Sequence, residues 1–169
     1  MESVISEAIV KMIGILKGNR HDICHFLKVH AYAETIAVQE GLDGDERAAL
    51  ELAAVIHDIA CPLCKEKYGN ANGNYQEIEG VPLAQEFLCE FELPQDVKDR
   101  IVFLVGHHHT LSAVDGLDYQ ILLEADYLVN ADEMGFSASN IANMRERLFK
   151  TPTGRLLLDS IYGVPELDR

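Results

Sequence analysis

The run Ala48-Ala49-Leu50-Glu51-Leu52-Ala53-Ala54-Val55-Ile56 is apolar at all but one position and leads directly into His57-Asp58. A helix of this kind belongs in a core. It therefore draws an imidazole and a carboxylate toward low dielectric, where neither is tolerated without a partner. A divalent cation suits both side chains at once, because imidazole and carboxylate are common metal ligands and the ion's charge compensates for their burial.

Apolar residues recur at helical spacing along nearly the whole chain. Val4, Ile5, Ala8, Ile9, Met12, Ile13 and Leu16 form one stripe before Gly18. A second helix is expected from about Asp22 to Glu40, ending at Gly41. A third opens with Asp43-Gly44-Asp45-Glu46, of capping-box type, and runs to Ala60 before Pro62. The Gly- and Asn-rich stretch Tyr68–Asn74 reads as an irregular loop. Further helices are expected over Tyr75–Glu90, from Pro94 to about His109, over Leu117–Asp132 and Ser137–Lys150, and after Pro152. No alternating run argues for a sheet, so the expected fold is an all-α bundle with short connections. At 169 residues with 48% hydrophobic content, one domain spanning 1–169 is the expectation, with helices at 137–162 packing on a motif-bearing core at about 20–130.

Charge narrows the partners. The chain carries 14 Lys plus Arg against 28 Asp plus Glu, a net −14, which argues against gripping a nucleic-acid polymer through its phosphates. No apolar stretch approaches the roughly 20 residues needed to span a bilayer, and the N-terminal segment has acids where a secretory leader has bases. The expectation is a cytoplasmic protein without a membrane partner. Cys24, Cys61, Cys64 and Cys89 do not suggest a disulfide scaffold, and Cys61-Pro62-Leu63-Cys64 lacks both the second motif of a zinc finger and the βαβ surroundings of a thioredoxin-like site.

Two more residues could join His57 and Asp58. His25 lies on one stripe with Asp22, Phe26, Val29, Ala33 and Ile36, whereas His30 is a step off it. Asp126 shares a face with Leu122, Ala125 and Val129. Each alone has an ordinary explanation, a hydrogen-bonded core histidine or a carboxylate paired with a base. Together they offer two imidazoles and two carboxylates from three helices, leaving positions for water on a six-coordinate ion.

The segments His25-x-x-Lys28-Val29-x-x-x-Ala33, Ala53 to Ala60 around His57-Asp58, and Ala125-Asp126-Tyr127 resemble the H…HD…D signature of the HD-domain superfamily of metal-dependent phosphohydrolases. The resemblance covers roughly residues 20 to 130. It implies a helical bundle with His25, His57, Asp58 and Asp126 as ligands, Asp58 also assisting the attacking water or bridging two ions. The implied substrate is a small phosphate ester or anhydride, a nucleotide or related metabolite, attacked by metal-activated water. The ion could be Mn, Fe, Mg, Co, Ni or Zn; one is expected and a second is an option.

The match departs from the family pattern in places. Gln76 stands where two-metal members carry a histidine, and Glu79, one helical step on, is a substitute oxygen ligand. His107, His108 and His109 follow a stripe of Ile101, Leu104 and Val105 on which His108 lies best; each is a candidate for a second ion or its surroundings. Lys28 replaces the usual Arg and is a catalytic and substrate-binding candidate that could pair with Asp58 or attract phosphate; Lys65 and Lys67 are further candidate phosphate contacts, and Gln76 is a further substrate-binding candidate. The competing reading is a non-catalytic module that senses a nucleotide or binds a protein partner through the same pocket. The amphipathic first helix leaves a homodimer open.

Overall fold

The computed structural model describes residues 2–163. Nine helices and no strand occur among them: α1 (Glu2–Ile15), α2 (Arg20–Gln39), α3 (Gly44–Ile56), α4 (Cys61–Tyr68), α5 (Gly73–Leu88), α6 (Gln95–Val105), α7 (Leu117–Glu133), α8 (Ala138–Arg147) and α9 (Pro152–Tyr162). None is long and apolar enough to cross a membrane.

α3 is the axis of the bundle. It packs against α1, α2, α6 and α7, and every residue from Ala48 to Ile56 is buried. Its four alanines let neighbouring backbones come close, while Leu50, Leu52, Val55 and Ile56 fill the space between them. The one charged residue inside, Glu51, is held by Arg47 Nε at 3.0 Å and His30 Nε2 at 3.2 Å. α2 lies across both α3 and α7, α5 pairs with α6, and α9 rests on α7 and α2 with α8 against it.

Several local expectations are corrected. The third helix does not reach Ala60: it ends at Ile56, and residues 57–60 form turns that carry His57 and Asp58 out of the helical register. Pro62 does not merely stop a helix but starts one, because proline lacks the N–H that a first turn leaves unpaired anyway, and α4 then takes up Cys61–Tyr68. The irregular loop is thus shortened to residues 69–72. The helix expected to reach His109 ends at Val105, leaving His107–His109 in a turn. Asp43 precedes α3 with extended backbone, but its side chain makes no capping hydrogen bond.

Candidate metal centre

α2, the turn after α3, and α7 bring four side chains to one point. His25 Nε2 faces His57 Nε2 at 3.2 Å. Asp126 Oδ1 lies 3.2 Å from His25 Nε2 and 3.6 Å from His57 Nε2, and Asp58 Oδ2 lies 3.5 and 3.6 Å from the same two atoms. Both imidazoles are buried, His57 completely.

The second nitrogen of each ring decides what faces the centre. His57 donates Nδ1–H to the Ala54 carbonyl at 2.9 Å. His25 donates Nδ1–H to Glu133 Oε2 at 2.8 Å. A carbonyl or ionised carboxylate can only accept, so each neutral ring turns an Nε2 lone pair inward. Two lone pairs and two carboxylates cannot share a buried point without a positive charge between them. Around an ion with bonds of about 2.1 Å, neighbouring donor atoms are about 3.0–3.4 Å apart, close to the separations seen here.

The site's demand for positive charge also appears in its proton affinities. Burial opposes charging His25, yet the hydrogen bond to Asp126 and the Asp58 carboxylate outweigh it and lift its pKa from 6.5 to about 9. Burial pushes Asp58 and Asp126 up, but the surrounding imidazoles, His57 and His108 on Asp58 and His25 and His57 on Asp126, hold both well below the usual carboxylate range.

His108 extends the cluster. Its Nδ1–H is given to the Val105 carbonyl at 2.8 Å, while its Nε2 is buried without a hydrogen-bond partner, 3.3 Å from Asp58 Oδ1. Asp58, His108 and His109 can turn donor atoms to within 4.8 Å of one another, as His25, His57 and Asp58 also can. Gly73, at the start of α5, makes room for this edge: a Cβ there would meet the His109 ring at 2.7 Å.

Other residues singled out from the sequence lie elsewhere. His107 gives Nδ1–H to the Phe103 carbonyl at 2.7 Å and stacks on that ring. Glu79 accepts from Lys67 at 2.6 Å and from the Tyr68 hydroxyl. Gln76 is buried beside the cluster, but its amide is engaged at both ends, accepting from the Cys61 thiol at 3.2 Å and donating to the Ala71 carbonyl at 3.0 Å. Burial, reinforced by Asp58, pushes the Cys61 thiol up, which disfavours the thiolate. Lys65 reaches Asp22 at 3.4 Å. Lys28 pairs with Glu133 Oε1 at 2.6 Å, so it touches the cluster through Glu133 rather than through Asp58.

Glu133 and Asn130 were not anticipated. Both lie on the α7 face of Asp126, four and seven residues on, and Asn130 donates to Asp126 Oδ1 at 2.8 Å. A helical step from a suspected ligand was the available signal, but polar residues at the end of a helix are common.

The chain is similar to known proteins in sequence pattern and in fold. A family model described as HD domain matches residues 22–132. No curated protein matches the chain. A crystal structure of a predicted HD superfamily hydrolase from an uncultured Thermotogales bacterium is similar over 95% of this chain and 84% of that one, with a TM-score of 0.66 and 23% identity. At that identity the likeness bears on the fold. The family match spans more than half of the 169 residues and includes all four converging side chains. The chain belongs to the HD domain family.

Proposed function

We propose that this protein is a metal-dependent phosphohydrolase acting on a small phosphate ester or anhydride, a nucleotide or related metabolite. The observation that carries the reading is the pair of inward imidazole Nε2 atoms 3.2 Å apart, flanked by Asp58 and Asp126. His25, His57, Asp58 and Asp126 would hold one divalent ion, and Asp58 with His108 and His109 could hold a second. An ion there would neutralise charge on a phosphoryl oxygen and make a nearby water acidic.

The chain's own groups supply the rest. Glu133 and the Ala54 carbonyl take the Nδ1–H of His25 and His57, so both Nε2 atoms face the centre before any ligand arrives, and His25 would release the proton held there as an ion binds. Asp58 offers Oδ2 to the imidazole pair and Oδ1 to His108, placing it to orient a water between them. Lys28 steadies Glu133 and leaves a positive charge at the rim, where it and Lys65 can attract an anionic substrate. We further propose that α8 and α9 form one domain with the matched core, that the substrate is a small molecule rather than a polymer, and that the protein works in the cytoplasm. The helical packing of α9 on α2 and α7, the net charge of −14 and the four free cysteines support these points.

Metal analysis combined with a hydrolysis screen of phosphate mono-, di- and cyclic esters tests the assignment. Wild type is expected to carry a divalent ion and release phosphate, and Asp58→Ala to lose both; turnover retained in that variant refutes it. The alternative of a nucleotide-sensing module is favoured by Gln76, whose amide is spent on Cys61 and Ala71. Metal retention with nucleotide binding but no turnover across the panel would select it.

A further inference from the structure

A cavity of about 480 Å³ opens beside the cluster, and its lining is of two kinds. Asp58, His108 and Asp126 of the cluster contribute polar wall. α7 and the segment leading into and along α8 contribute Leu123, Phe136, Met144 and Leu148, together with Asn140. The family match stops at residue 132, so Phe136, Asn140, Met144 and Leu148 come from a part of this chain outside it.

The Asn140 amide is oriented. Its Oδ1 accepts from the Tyr127 hydroxyl at 2.7 Å, and Tyr127 is itself buried, so the amide nitrogen, on a solvent-exposed residue at the cavity wall, is the end left to donate to an entering ligand. Methionine and phenylalanine beside it form a polarizable surface suited to a flat ring. Among the described residues no Lys or Arg lines this cavity. A string of phosphates would lose its hydration here without gaining countercharge, whereas an uncharged ring would bury apolar surface. The volume lies toward the lower end of the roughly 300–1,000 Å³ typical of small-molecule pockets.

We infer that α8 is the specificity element of this enzyme: the cavity takes an uncharged planar heterocycle bearing a hydrogen-bond acceptor, the base of a nucleoside monophosphate, with its single phosphoryl group toward Asp58 and Asp126. The inference rests on the reading of the cluster as the phosphoryl site. Asn140 donates to the ring's acceptor, Phe136 and Met144 contact its face, and Tyr127 acts as a positioning residue through Asn140.

The test compares wild type with Asn140→Asp, which keeps the contact to Tyr127 but removes the donor, and Met144→Lys, which charges the wall. The ratio of kcat/KM for adenosine and uridine monophosphates to that for glycerol phosphate is expected to fall at least tenfold in each variant, chiefly through KM. An unchanged ratio overturns the inference. Saturation-transfer NMR with adenosine monophosphate gives a readout independent of turnover: base protons should be the most strongly saturated in wild type and should weaken in both variants. Saturation confined to the ribose, or insensitive to both substitutions, also overturns it. Asp58→Ala separates the two readings. Turnover surviving in Asp58→Ala sinks the phosphohydrolase itself; Asp58→Ala inactive while the α8 variants match wild type sinks only the role of α8.

Discussion

At the scale of single residues, the site is a set of broken rules that repair one another. A buried imidazole at the end of an apolar helix and a carboxylate on an apolar stripe each demand a partner, which is why His57, Asp58, His25 and Asp126 are legible in the sequence. Glu133 broke no rule, being an acid at the exposed-looking end of α7. Its role as the acceptor for His25 Nδ1–H became visible only when α2 and α7 were seen in contact. Glu133→Gln keeps a hydrogen-bond acceptor but loses the charge that steadies both His25 and Lys28. Manganese affinity measured by calorimetry should fall about 10- to 100-fold in that variant. An affinity equal to wild type would mean that His25 is oriented without Glu133. Protons compete with the ion at His25, whose pKa is raised from 6.5 to about 9 in the metal-free fold. A raised pKa stabilises the fold fully below about pH 6.5, and the gain is lost as pH climbs through about 9. Metal-free protein should therefore melt at progressively lower temperature across that window, while divalent-metal affinity rises. His25→Ala should flatten the melting trend.

At the level of elements, every helix but α4 was legible in the sequence and helix ends were not. Periodicity identifies which residues share a stripe, but the breaks after Ile56 and Val105 depend on how neighbouring helices receive the turn. Of His107, His108 and His109, the stripe favours His108 and leaves the other two open because uniform helical steps do not describe a turn; in the fold, His108 is buried and His107 stacks on Phe103. Pro62 was read as a stop, although a proline also suits a first turn, and α4 went unseen. The same kind of contact secures the C-terminal helices. Glu124, fully buried on α7, accepts from the Lys150 N–H at 2.6 Å, the Thr151 N–H at 3.0 Å and the Thr151 hydroxyl, tying α9's start to the core. A Cβ at Gly154 would meet Glu124 Oε2 at 2.0 Å, so the close approach depends on glycine there. Glu124→Ala leaves those donors buried without partners and should cost about 3 kcal/mol in denaturant unfolding. A cost below about 1 kcal/mol would show that α9 is held mainly by its apolar face.

At the scale of the whole molecule, the −14 net charge and the inward carboxylates make a cation a stabiliser of the native state. An ion that binds the fold but not the unfolded chain, at a hundredfold excess over its Kd, adds about 2.7 kcal/mol of stability. Wild type should show this as a saturable rise in melting temperature with added manganese, and Asp58→Ala should not. An equal rise in both proteins would place the effect on general charge neutralisation at the surface. Anomalous diffraction from manganese-soaked crystals shows whether the four side chains surround an ion. A strong peak is expected roughly 2.0–2.2 Å from the His25 and His57 Nε2 atoms and from carboxylate oxygens of Asp58 and Asp126. Manganese bound only elsewhere, with these four side chains still packed against one another, would contradict it.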